Sequence, residues 1–155
     1  MYNQLEKCDS TTEYLQFNNH ECLGKVVKIY DGDTVDICLP LPDTSLSHIY
    51  KFRCRLDRYD SPEKRSKNPI EKEYAQKATD VLTDLILNKV VKVICIKYDK
   101  YGRILCDIYH QKEDLTSVNV NQYMIDHHFG IPYNGRKKPD FQEYYDKGYF
   151  TQSNH

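Results

Sequence analysis

Lys25-Val26-Val27-Lys28-Ile29-Tyr30-Asp31-Gly32-Asp33-Thr34-Val35-Asp36-Ile37-Cys38-Leu39 is the stretch on which the architecture turns. Its first half is β-branched and aromatic, Asp31-Gly32 supplies turn chemistry, and Thr34 to Leu39 alternates polar with apolar side chains; the segment therefore reads as a β-hairpin. Beyond it, the Pro, Asp and Ser content of Leu41 to Ser47 predicts a loop, and Ile49 to Leu56 resumes a strand. Val90 to Tyr98 and Ile104 to Tyr109 flank the tight turn Asp99-Lys100-Tyr101-Gly102 and form a second hairpin. Between the hairpins, Asn68-Pro69-Ile70-Glu71 places an N-cap residue, a proline at the first helical position and an acid in the first turn. The helix that follows has an apolar stripe of Tyr74, Ala78, Val81, Leu82, Leu85 and Ile86. A second helix is expected from Ser117 to His128, stopped by Gly130 and Pro132, and a short last one from Asp140 to Lys147.

Five strands interrupted by one helix suit a small antiparallel sheet closed on itself, because closure removes the edges that an open sheet must protect. The expected fold is mainly β (α+β), a five-stranded OB-fold barrel with two or three packed helices. Residues 1–21 are polar and aperiodic and read as a loosely ordered arm ahead of a single domain over residues 22–150.

Composition agrees with one soluble domain. The chain has 155 residues, 39% apolar and 29% charged, with 6 Gly and 6 Pro, which excludes disordered, collagen-like and coiled-coil classes. No long uncharged apolar stretch provides a spanning helix or a signal peptide, so no membrane association is expected and the default location is inside the cell. Oligomerisation has no sequence signal, and a monomer is expected. The six cysteines form no C-x-x-C pair and read as reduced, mostly buried thiols rather than zinc ligands. The six histidines show no ligand spacing either. Lys and Arg number 22 against 23 Asp and Glu, so any grip on phosphate has to be local.

The chemistry-bearing residues lie at strand ends. Asp31 and Asp33 are two apart, which puts both carboxylates on one face of extended chain about 7 Å apart. Asp60 and Glu63 bracket Ser61-Pro62, a dipeptide that holds extended or turn backbone. Taken singly, each motif is also ordinary turn chemistry. If the acids converge, a cation would relieve their repulsion, and all-oxygen ligands favour Ca²⁺ or Mg²⁺ over zinc. Arg55 and Arg103 present guanidinium forks that match a phosphate. By register alone Arg53 is as good a choice as Arg55, since both share one face of the third strand. Carboxylates, a hard cation and two such forks are together what phosphodiester hydrolysis requires.

Asp31-Gly32-Asp33-Thr34, Arg55, Asp60-Ser61-Pro62-Glu63 and Asp99-Lys100-Tyr101-Gly102-Arg103 resemble, in the same order, the signature pieces of the staphylococcal nuclease (thermonuclease) family. With the amphipathic helix and Val118-Asn119-Val120-Asn121, the resemblance runs from about Lys25 to Tyr133. It implies an OB barrel with helices and a calcium-dependent nuclease that cleaves DNA and RNA, preferably single-stranded, with little sequence specificity and leaves 3′-phosphate ends. By that resemblance Asp33 and Asp60 would bind Ca²⁺ through their side chains and Ser61 through its backbone carbonyl, with Asp31 close behind them. Glu63 would direct or deprotonate the attacking water, and Arg55, in preference to Arg53, would contact the scissile phosphate together with Arg103. Lys100 and Tyr101 would flank a nucleotide phosphate, and Tyr133 would sit against sugar or base. The competing expectation is a catalytically inactive OB-fold module that binds nucleic acid or a protein partner. A calcium-binding structural domain would explain the acids but leave Arg55 and Arg103 without a task.

Overall fold

Alternating burial along the strands builds the barrel of this protein, whose computed structural model describes residues 1–42 and 48–152. The strands are β1 (His20–Ile29), β2 (Thr34–Pro40), β3 (Ile49–Leu56), β4 (Tyr59–Asp60), β5 (Val90–Tyr98), β6 (Ile104–Gln111), β7 (Ser117–Asn119) and β8 (Ile131–Pro132). The helices are α1 (Tyr2–Leu5), α2 (Pro69–Ile86), α3 (Val120–Asp126) and α4 (Phe141–Asp146). Residues 43–47 and 153–155, and with them most of the loop expected over Leu41 to Ser47 as well as His155, lie outside the described residues.

The main sheet runs β3-β2-β1-β5-β6, and β3 then pairs with β6 to close a five-stranded barrel. All neighbours in the ring are antiparallel except the closing pair, Cys54↔Ile104, Arg55↔Leu105 and Leu56↔Cys106, which is parallel. The sequence predicts a purely antiparallel ring, but strand direction cannot alternate around an odd number of strands. One parallel pair is therefore unavoidable.

Val35, Ile37, Leu39, Cys54, Leu56, Val93, Cys95, Ile104, Cys106 and Ile108 fill the interior, and Ala78, Leu82 and Ile86 of α2 with Val120 and Met124 of α3 close it. Phe17, placed by the sequence in the polar arm, is 2% exposed and stands edge-on to Phe52 and Tyr98. The first strand also starts earlier than expected, at His20, because residues 20–25 pair with β5. Cys54, Cys95 and Cys106 are buried and all six thiols are free. No helix among the described residues is long and apolar enough to cross a membrane.

The helix expected from Ser117 to His128 is shorter in the structure. Ser117–Asn119 instead pairs with β6, and Asn119 caps α3 by accepting a hydrogen bond from the Gln122 amide. Helix α2 starts as expected, with Asn68 as N-cap and Pro69 at the first position. Glu71 in its first turn does not reach back to the cap; its Oε1 accepts the Glu63 amide at 3.0 Å, which ties the helix to the segment after β4.

Asn121 is fully buried and holds the path toward that segment. Its Oδ1 accepts the Ile108 amide at 3.1 Å, and its Nδ2 donates to the carbonyls of Asp57 at 3.0 Å and Cys106 at 2.9 Å. Asn121→Ala leaves three backbone groups short of a partner, so chemical denaturation should show a loss of about 2–4 kcal/mol. A loss below about 0.5 kcal/mol would mean that the backbone groups repair themselves.

Candidate active site

The hairpin loop after β1 is shaped by contacts. Asp31 Oδ1 accepts the amides of Asp33 at 3.0 Å and Thr34 at 2.8 Å, an Asx turn that carries Asp33 inward. Gly32 adopts no left-handed conformation. It is needed for space, since a Cβ there would stand 2.7 Å from Ala78 Cβ and 2.8 Å from Ser61 Cβ. The Tyr59 hydroxyl donates to the Gly32 carbonyl at 2.6 Å from below. The loop is thereby pressed against α2 and the Asp60–Ser61 segment.

Arg55 lies across from Thr34 in the β2–β3 ladder and is almost entirely buried. Its Nη2 donates to Asp60 Oδ1 at 3.0 Å and Asp33 Oδ2 at 3.4 Å, and its Nη1 to the carbonyls of Tyr59 at 3.0 Å and Leu56 at 3.3 Å. Asp33 Oδ2 also accepts the Ser61 amide at 3.0 Å. The Tyr133 ring centroid is 5.5 Å from the Arg55 guanidinium, within cation–π range. Asp33, Arg55, Asp60 and Ser61 are thus one buried constellation, with the partly exposed Tyr133 against Arg55 and Asp31 hydrogen-bonded at its edge.

Outside it opens a cleft of about 500 Å³ lined by Tyr30, Asp31, Thr34, Arg53, Glu63, Lys64, Arg65, Tyr101 and Arg103. Glu63 is half exposed and paired with Lys138. Arg103 is oriented by Asp99, whose Oδ2 takes its Nε at 2.6 Å while Oδ1 accepts the amides of Tyr101 and Arg103. The Tyr101 ring lies 5.3 Å from the Arg103 guanidinium and 5.2 Å from Lys100 Nζ. Lys100 itself is not among the cleft's lining residues.

Asp31, Asp33, Asp60 and Glu63 share this corner with two cations, Arg55 and Lys138, which leaves it with more negative than positive charge. Burial, then the charge of Asp33, pushes the Asp31 carboxyl up to about 7 and that of Asp60 up to about 6. Among the described residues no three Asp, Glu, His or Cys side chains stand together as a self-sufficient metal site. The donors gathered by Arg55 are two carboxylates, with neither nitrogen nor sulfur. That chemistry fits a hard cation whose remaining ligands come from carbonyl groups and water.

The sequence did not single out several residues here. Asp99 opens the Asp99-to-Arg103 motif but reads there only as a turn former, yet it sets the direction of Arg103. Tyr59 and Tyr30 carried no motif. Lys138, in the exposed run Arg136-Lys137-Lys138, reads as a solvated face, but long-range folding brings it onto Glu63.

The family model for "Staphylococcal nuclease homologue" matches residues 53–152. An "Uncharacterized endonuclease" of Escherichia coli is 32% identical over 102 residues, 66% of this chain and 55% of that protein. An "Uncharacterized endonuclease" of Haemophilus influenzae is 34% identical over 100 residues, 64% of this chain and 49% of that protein. A "Micrococcal nuclease" of Shigella flexneri is 28% identical over 127 residues, 79% of this chain and 65% of that protein. The chain thus spans about half the length of the first two of these relatives.

The raised carboxyls make stability depend on pH. A carboxyl that holds its proton more tightly in the folded than in the unfolded chain stabilises the fold fully at low pH. That contribution fades as pH rises through the folded values of about 6 for Asp60 and about 7 for Asp31. With chelator present, the melting temperature should fall between about pH 4 and pH 7. Asp31→Asn keeps an oxygen for the two amides and should flatten the slope; an unchanged slope in this variant would assign the pH dependence to other groups.

Proposed function

The chain belongs to the family of staphylococcal nuclease homologues, and on that premise we propose that it is a calcium-dependent nuclease that hydrolyses phosphodiester bonds of DNA and RNA. The single observation that carries this reading is the joining of the acids and both arginine regions at one place. The Asp33–Arg55–Asp60 cluster backs directly onto the cleft that Asp31, Glu63 and Arg103 line. A module that only bound nucleic acid would have no use for buried acids placed behind a basic cleft.

In this proposal Asp33 and Asp60, with the Ser61 carbonyl, hold Ca²⁺, which when bound would neutralise the acids and polarise the phosphate. Glu63, half exposed at the mouth, orients or deprotonates a water whose oxygen attacks phosphorus. The bond to the 5′ oxygen breaks, leaving a 3′-phosphate on the preceding nucleotide, while the 5′ oxygen takes up a proton from water and departs as a hydroxyl. Arg103, fixed by Asp99, stabilises charge that develops on the phosphoryl oxygens. Arg55 shares that task. Its terminal nitrogens are all engaged in the resting chain, so it reaches a phosphate only by giving up carboxylates that are otherwise neutralised. Tyr101 and Lys100 flank a neighbouring phosphate and Tyr133 packs on sugar or base. The open cleft suits a flexible single strand, and little sequence preference follows from a lining dominated by cations and tyrosines, which grip phosphate and stack on any base. We infer that the chain works as a monomer.

The test is digestion of single-stranded DNA and RNA by the purified chain with Ca²⁺, with chelator as control. Cleavage should depend on Ca²⁺ and leave 3′-phosphate ends, and Glu63→Gln or Arg103→Ala should lower the rate by roughly 10²- to 10³-fold. Intact substrate across a range of salt and pH with Ca²⁺ present would refute the proposal. Independently of activity, Ca²⁺ should raise the melting temperature more at pH 7 than at pH 5, because at the lower pH protons compete for the Asp60 carboxyl.

A further inference from the structure

We propose that Arg53 and Tyr30 form a second phosphate-binding subsite in the cleft, gripping a phosphate of the strand next to the one being cleaved. The proposal rests on the nuclease reading and extends it to substrate length.

Arg53 lies two residues before Arg55 on the same face of β3, opposite Asp36 in the ladder. Its guanidinium is held in place before any ligand arrives. Nε donates to Asp36 Oδ1 at 3.4 Å, Nη2 donates to the Tyr30 hydroxyl, and Cζ lies 4.0 Å from the Tyr30 ring centroid. Tyr30 is itself fixed, its hydroxyl donating to Asp36 Oδ2 at 2.7 Å. The arginine side chain is nevertheless 53% exposed, lines the cleft, and has no protein acceptor for Nη1 among the described residues. Asp36 is buried and gains a partner in Arg53, yet the guanidinium keeps an open solvent-facing side that can take a further anion. Pre-ordering of this kind lowers the entropy lost on binding a ligand.

The cleft repeats the arrangement. Tyr101 with Arg103 forms one arginine–tyrosine pair and Tyr30 with Arg53 another, both opening on the same space. Lys64 and Arg65 also line the cleft, and Lys64 Nζ donates to the Tyr30 carbonyl at 3.0 Å. Four cations thus face two acids, Asp31 and Glu63, in a chain whose net charge is −1. Arg53 and Arg103 also have Asp36 and Asp99 as partners, but the lining still offers more cationic groups than one scissile phosphate takes up, which suits two adjacent phosphates. A cleft of about 500 Å³ has room for more than one phosphate group.

The experiment compares three substrates in Ca²⁺: a dinucleotide with one phosphodiester, and the same dinucleotide carrying an added phosphate at its 5′ or its 3′ end. In the wild-type chain one added phosphate should lower KM by about tenfold, the worth of a charge-assisted contact. Arg53→Ala should erase most of that gain, Arg53→Lys should keep part of it, and Tyr30→Phe should fall between wild type and Arg53→Ala. If Arg53→Ala weakens all three substrates by the same factor, or if wild type gains nothing from either phosphate, the subsite does not exist. Should wild type cleave none of the three, the nuclease reading fails separately. Calorimetric titration of wild type and Arg53→Ala with the same oligonucleotides then decides the subsite: loss of the added-phosphate gain in the variant sustains it, and equal affinities overturn it.

Discussion

Taking a guanidinium out of water is costly unless oxygens meet it, and removing a partner from such a buried set typically costs about 3–5 kcal/mol. Arg55, with its side chain 11% exposed, is met by two carboxylates and two carbonyls. Those oxygens come from the loop after β1, the end of β3, and β4, so one charge ties the turn from β3 into β4 to a loop that lies 22 residues earlier in the chain. The acids have a reciprocal need. Without Arg55, Asp33 and Asp60 would be two buried negative charges with Asp31 close by, and even with Arg55 and Lys138 in place burial, then the charge of Asp33, holds the carboxyls of Asp31 and Asp60 above their ordinary range. The fold holds an electrostatic imbalance at this corner, which is the physical ground for proposing a cation there.

Barrel topology decides where that corner falls. With five strands, one junction of the ring must be parallel, and here it joins β3 to β6 through Cys54, Arg55 and Leu56. Cys54 and Leu56 point into the core, so Arg55 between them points out of it, toward the loop and β4. The same alternation sends Arg53 outward. Near the junction, Leu56 donates its amide to the Asp33 carbonyl at 2.8 Å and Asp57 to that of Cys106 at 2.9 Å. Closure of the barrel and assembly of the polar cluster are thus served by neighbouring hydrogen bonds, and Asn121 supports both by joining Asp57 to β6.

Much of this was legible in the sequence because it rests on local signals. Period-two alternation marked β2, the strand expected to resume after the loop is β3, the Asn68-Pro69 start marked α2, and the short helix expected from Asp140 to Lys147 is α4. The grouping of Asp33, Arg55 and Asp60 was reached through the order of short motifs, and their hydrogen bonds in space agree with it. What stayed hidden depends on tertiary partners. Ser117–Asn119 has helix-compatible residues but meets the free edge of β6, and pairing overrides propensity. Phe17 sits in a polar stretch, and only the aromatic edges of Phe52 and Tyr98 explain its burial. Gly32 looks like a turn glycine and is one by location, yet its requirement comes from Ala78 and Ser61, far along the chain. The pairing of Lys138 with Glu63 spans 75 residues and has no local mark.

Net charge was the least informative quantity for function. A chain at −1 overall suggests no affinity for a polyanion, yet its charges are sorted in space. Asp33, Asp36 and Asp60 are buried, where each is met by an arginine or tyrosine and is shielded from solvent, while Arg53, Lys64, Arg65 and Arg103 line the open cleft. A phosphate in the cleft meets nearby cations directly, whereas charges beyond a Debye length of about 8 Å are largely screened at physiological salt. What an approaching strand experiences is therefore the cleft's excess of cations and not the balance of the whole chain. On the proposed nuclease reading, a near-neutral protein of this build would hold nucleic acid at one place while the rest of its surface stays indifferent to it, which favours turnover over tight, distributed binding.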